Sequence, residues 1–198
     1  MKRSTRLTVT LLAACVLGVA GAALATSRPE RPSPAILWEL VGQVINGGAG
    51  GPVASAQFGN LLGSPCTAPD AALTFYTEAT TTRSTANGPL RVIDRTGTTT
   101  VRLAPAAGDF ASPETFRAGT VVQTSRLEQQ VIFDTTTGAF TVLNVNTVSP
   151  GGAAPSGWSC PELLRPGARI RTELRGHINT PGSTPTGWFG GYAGVMGD

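Results

Sequence analysis

Apolar and polar residues alternate in short runs along most of this chain, and glycine, proline, asparagine and aspartate separate the runs. The clearest run is residues 168–178, ARIRTELRGHI. Ala168, Ile170, Thr172, Leu174 and Ile178 fall on one face, with Gly176 in the same register, while Arg169, Arg171, Glu173, Arg175 and His177 fall on the other. A period of two with one apolar side predicts a strand that is buried on one face and wet on the other. Residues 73–82 alternate in the same way, with Leu73, Phe75 and Ala79 opposite Tyr76 and Glu78.

Residues 131–143, VIFDTTTGAFTVL, join two such runs through a turn that Asp134 opens and Gly138 closes. The run before it, from 119, is long and its alternation slips, which predicts a bulge. Residues 90–103, LRVIDRTGTTTVRL, read as a second hairpin of the same build, turning from Asp94 to Gly97. Residues 52–63 and the glycine- and aromatic-rich 187–195 read as further strands, and 104–115 and 149–166 as loops. Residues 35–47 fit two periods. Ile36, Leu40 and Val44 have helical spacing, but the strand reading is favoured because everything downstream is β.

The sum is about eight strands with no β-α-β spacing and no solenoid or propeller repeat. Sequential hairpins predict an all-β fold, a single antiparallel meander closing into a small β-barrel, with a two-sheet β-sandwich as the alternative. This domain is expected over 35–198, preceded by a proline-rich extended tether at 26–34.

The first residues have a different grammar. Lys2, Arg3 and Arg6 precede the uncharged run Leu7–Ala25, which ends in Ala-Leu-Ala before Thr26. A secretory signal peptide over 1–25 is expected, and with it a secreted, extracytoplasmic protein. Two alternatives stay open. Residues 7–25 are long enough for a membrane anchor, and Leu12–Cys15 has the form of a bacterial lipoprotein box, which would put a lipid on Cys15.

Removing residues 1–25 takes three of the 15 basic residues and none of the 12 acidic ones, so the remaining chain is formally neutral. That excludes a basic footprint for nucleic acid, and no membrane partner is expected after cleavage. Two cysteines remain, Cys66 and Cys160, an even count that predicts one disulfide in an oxidising compartment. Closing a loop of about 95 residues, it would contribute up to ~4.6 kcal/mol on the chain-entropy model.

Little in the chain resembles an active site. There is no G-x-S-x-G elbow and no H-E-x-x-H, and His177 is the only histidine. No catalytic residue, metal site or cofactor is therefore assigned. Glu39, Glu78, Glu128 and Glu173 lie in predicted strands, where two carboxylates could meet across a barrel. Ligand-contact candidates are Trp188, Phe189 and Tyr192, together with Arg169, Arg171 and Arg175 should that stripe face inward. The outward orientation is the expected one.

The meander is similar in outline to lipocalin-like barrels and to barrels of the allene oxide cyclase and dirigent type. The likeness covers fold only. The lipocalin G-x-W is absent around Trp38, where the chain reads ILWEL. The leading expectation is a secreted, non-catalytic module that binds a small apolar ligand in the barrel or a protein partner on its loops. The alternatives are a structural or envelope-associated protein without a small-molecule site, and a metal-independent isomerase or cyclase using a buried carboxylate. Non-reducing peptide mapping of the exported protein, with sequencing of its N-terminus, is expected to show a Cys66–Cys160 cross-link and a chain beginning at or near Thr26. Two free thiols would remove the disulfide.

Overall fold

Asp134 builds the turn between two strands through its own carboxylate and carbonyl. Its carboxylate accepts hydrogen bonds from the amides of Thr136 (2.8 Å) and Thr137 (3.3 Å), and the Gly138 amide closes on its carbonyl at 2.8 Å. These bonds, the Thr136 amide first, hold the Asp134 carboxyl below its usual range. Gly138 has φ 77°, a conformation that β-branched residues avoid. The turn locks the register of the strands on either side, Thr120–Asp134 (β5) and Ala139–Val148 (β6), so that Phe133 faces Phe140.

The computed structural model describes residues 36–47, 54–63, 72–152, 154, 156, 158, 164–181 and 183–196. The expected signal peptide, the tether and both Cys66 and Cys160 lie outside the described residues. The other strands are Ile36–Asn46 (β1), Ala54–Leu62 (β2), Ala72–Asn87 (β3), Leu90–Ala104 (β4), Arg169–Ile178 (β7) and Gly187–Val195 (β8). Each pairs antiparallel with its neighbour in sequence, and β8 returns to pair with β1, so the eight strands form one closed barrel. The all-β meander and its closure agree with the pattern of the chain. So do the strand at 36–46 and the bulge in β5, where the pairing with β4 slips between Val101 and Arg102.

One expectation is corrected. Residues 90–103 are not a hairpin but part of a single strand, β4, in which Asp94 and Gly97 pair with both β3 and β5. Gly97 makes no turn. A Cβ there would collide with the backbone of Glu78 on β3, so the glycine permits close strand contact. The turn lies earlier, at Gly88 and Pro89, where Gly88 has φ 59°. That suits the first central position of a II′ hairpin turn.

Alternation assigns the faces. Along β7, Ile170 and Leu174 point into the barrel, with Leu174 1% exposed, and Arg169, Arg171 and Arg175 point out into solvent. Segment 105–119 covers part of the outer face of β2 and β3. Phe116, from a 3-10 turn at Pro113–Arg117, packs on Phe58 (5.1 Å between centroids), and Asn60 exchanges two hydrogen bonds with Gly108. Leu174→Ala is expected to cost about 2–5 kcal/mol, and Arg171→Ala less than about 0.5 kcal/mol, in urea denaturation. The reverse order would invert the faces of β7.

Candidate ligand-binding site in the barrel lumen

An eight-stranded barrel is just wide enough to be filled by its own side chains or to hold one small molecule. This one does both, at opposite ends. Towards the end where β1 begins and β8 finishes, Trp38, Leu40, Leu61, Phe75, Ile170 and Leu174 close the interior around a residual space of about 40 Å³. Towards the β3–β4 and β5–β6 turns the interior opens into a cavity of about 420 Å³, within the range of small-molecule sites.

The walls of that cavity are mostly apolar. Val44, Ile93, Val131, Phe133, Phe140, Val142, Ile178 and Phe189 line it, drawn from six strands. Two of its rings lie against glycines. A Cβ on Gly42 would come within 2.5 Å of the Phe189 ring, and one on Gly176 would meet the Phe140 ring. The missing side chains let both rings lie along the wall, which keeps the centre of the lumen open.

The inner end of the cavity is a polar layer. Gln57 and Gln129 exchange amide hydrogen bonds across the lumen at 3.2 Å each, and the Gln129 amide also donates to Asn144 at 2.9 Å. Arg95 joins the layer from β4. Its Nη1 donates to Gln129 Oε1 (3.4 Å), its Nη2 to Asn46 Oδ1 (3.3 Å) and its Nε to Thr81 Oγ1 (3.4 Å). Arg95 is 6% exposed and lines the cavity. Burial pulls its pKa down, but a guanidinium stays protonated in proteins. Arg91, four residues nearer the turn and exposed, lines the outer part of the same cavity.

No aspartate or glutamate among the described residues lines either space. The strand carboxylates face outward. Glu78 pairs with Arg117 (2.7 Å), Glu128 with Arg126 (3.0 Å) and Glu173 with Arg175 (3.2 Å), and Glu39 is exposed. Asp94 also lies outside, where Gln130 and then Arg83 hold its carboxyl below the usual range. Among the described residues, no three His, Cys, Asp or Glu side chains gather in a way that could hold a metal ion.

Of the aromatic candidates, only Phe189 reaches the lumen. Trp188 points out and packs edge-on against Phe110 (5.3 Å), and Tyr192 is 54% exposed on the same outer face. The stripe of Arg169, Arg171 and Arg175 is likewise outside. His177 is exposed too, with Nε2 2.6 Å from the Thr137 carbonyl oxygen. The polar residues that sequence reasoning missed are Arg95 and Gln57, which line the cavity, and Gln129 and Asn144, which hold them from the layer beneath. The signal for them was a polar side chain at a position whose neighbours two residues away are apolar or small, as in Leu127-x-Gln129-x-Val131.

Comparison with known proteins gave no match, whether to a family model, to a curated protein or to a solved structure. The lumen geometry therefore carries the functional argument alone. Gln129 ties three partners together, so Gln129→Leu is expected to leave Gln57 and Arg95 short of an acceptor. The variant should unfold about 1–3 kcal/mol more easily by chemical denaturation. An unchanged midpoint would mean that the layer is not held by these bonds.

Proposed function

We propose that the protein is an exported binding module that holds one small, largely apolar molecule in the barrel lumen. The observation that carries this reading is the 420 Å³ cavity with eight apolar wall residues, opening between turns at one end of an otherwise filled barrel. Burying apolar surface against such walls contributes roughly 25 cal/mol per Å². A rigid, preformed site also keeps the ordering cost of binding low.

Two further features support it. The outer face intersperses threonine, arginine and glutamate with exposed Leu62, Trp188 and Tyr192, and its buried Phe58 sits under the 105–119 segment. A barrel that spans a membrane instead turns an apolar band outward, so this one is suited to water. An isomerase or cyclase of the kind considered from the sequence needs an acid in the lumen, and the described residues put none there.

Binding of N-phenyl-1-naphthylamine, an uncharged dye that brightens in apolar surroundings, tests the reading. One dye per chain is expected to bind the wild-type protein. Val142→Trp, which fills the cavity from β6, should weaken the dye by about tenfold or more, the equivalent of 1.4 kcal/mol, while the far-ultraviolet spectrum stays that of a β-protein. No dye binding to the wild-type protein, or binding that is indifferent to Val142→Trp, would defeat it.

A further inference from the structure

The apolar cavity leaves one feature unexplained, the arginine at its floor. Arg95 is almost fully buried, and among the described residues it forms no ion pair. Its three hydrogen bonds all go to neutral acceptors, at 3.3–3.4 Å. A guanidinium on a carboxylate settles closer, at about 2.7–2.9 Å, and offers two parallel N–H groups. Three long bonds from a fork of five donors leave this cation weakly satisfied. A buried charge without a counter-charge costs stability, and a well-packed apolar residue in its place is often neutral or stabilising. Core packing therefore does not account for Arg95.

We propose that the lumen takes its ligand as an anion, an amphiphilic monocarboxylic acid whose carboxylate pairs with Arg95 and whose hydrocarbon part runs along the apolar walls towards the mouth. This rests on the reading of the lumen as a small-molecule site and adds the class of molecule. One positive charge at the floor matches one negative charge. The next cation in the cavity, Arg91, is four strand residues nearer the mouth, its backbone about 13 Å away at ~3.3 Å per residue, and it is exposed there rather than held at the floor. Between them the walls are Ile93, Val131, Phe133, Phe140 and Val142, with no second charge. A phosphate would bring a further negative charge with no cation at the floor to meet it. A neutral alcohol would leave Arg95 as it is.

The floor is built to hold the guanidinium in place. Gln129 accepts from Arg95 while its amide nitrogen is fixed by Gln57 and Asn144, and Asn46 and Thr81 hold the other two edges. Arg95 thus enters the lumen from β4 with its plane set by three strands besides its own. A pre-oriented donor spends little on ordering when the anion arrives.

Decanoate and decanol differ only in the head group, so displacement of bound N-phenyl-1-naphthylamine by each, at pH 7.5, reads the charge directly. Decanoate is expected to displace the dye from the wild-type protein at a concentration lower by about tenfold or more. Arg95→Met should abolish that preference, so that decanoate and decanol displace the dye at equal concentrations, and without ligand it should melt at or above the wild-type temperature. Arg91→Met should keep the preference. The preference should also fade as pH falls through the carboxyl range, about 4–5, because the acid then loses its charge while the arginine keeps its own. Equal displacement by both compounds in the wild-type protein overturns the proposal without any variant being needed. A preference that survives Arg95→Met overturns it too, and one lost in Arg91→Met moves the anion to the mouth. If neither the dye nor decanol binds the wild-type protein, the lumen reading itself fails, a result distinct from equal displacement.

Discussion

The hydrogen bonds that join β8 back to β1 constrain every other position in this molecule. Closure removes the sheet edges and gives all eight strands a common inside. Because side chains alternate, every second residue of each strand must then share a lumen whose width is fixed by the strand number. The volume of the inner residues alone decides whether the lumen is filled. Trp38, Leu40, Leu61 and Phe75 fill one end. At the other, Phe140 and Phe189 are pressed against Gly176 and Gly42, and the middle stays open. The cavity is thus a property of side-chain volumes on a regular frame and needs no departure from the barrel itself.

The layer between the two ends works against simple core packing. Gln57, Gln129, Asn144 and Arg95 could each have been apolar without disturbing the alternation. Buried amides are tolerated here because they pair with each other, Gln57 with Gln129 and Gln129 with Asn144. Such a network rigidifies what it holds, since moving one member leaves several groups unpaired in a medium of low dielectric constant. What it holds is Arg95, the one buried cation among the described residues. The polar layer and the open end are therefore one arrangement, a charged floor beneath apolar walls.

Much of the frame was legible in the chain. β7 alternates without interruption, so its inner and outer residues follow from counting by twos, and Asp134 and Gly138 mark a turn whose chemistry is local. Outer positions that are buried were harder to read. Phe58 and Thr74 face away from the lumen, yet Phe116 and the segment around it cover them, and that contact joins residues more than forty positions apart. The hairpin tip was misplaced for a related reason. Asp94 and Gly97 have the chemistry of a turn, but Asp94 spends its carboxylate on Arg83 and Gln130 across the sheet, and Gly97 makes room for β3. The turn is instead at Gly88-Pro89, with the positive φ of Gly88 at its first central position.

That single misplacement also hid the site. With a turn set between Asp94 and Gly97, Arg95 sits at the tip of a loop, where an arginine needs no explanation. With the strand carried through, counting back from Val101 by way of Thr99 and Gly97 reaches Arg95 on the inner face, directly below Ile93. The aromatic cluster at 188–192 misled in the opposite sense, because alternation sends Trp188 and Tyr192 out of the barrel and only Phe189 in. In a closed barrel the chemistry of a position is set by its parity, and parity is inherited from the nearest true turn. An error of a few residues in placing that turn leaves the fold class intact and still changes which charges face the lumen.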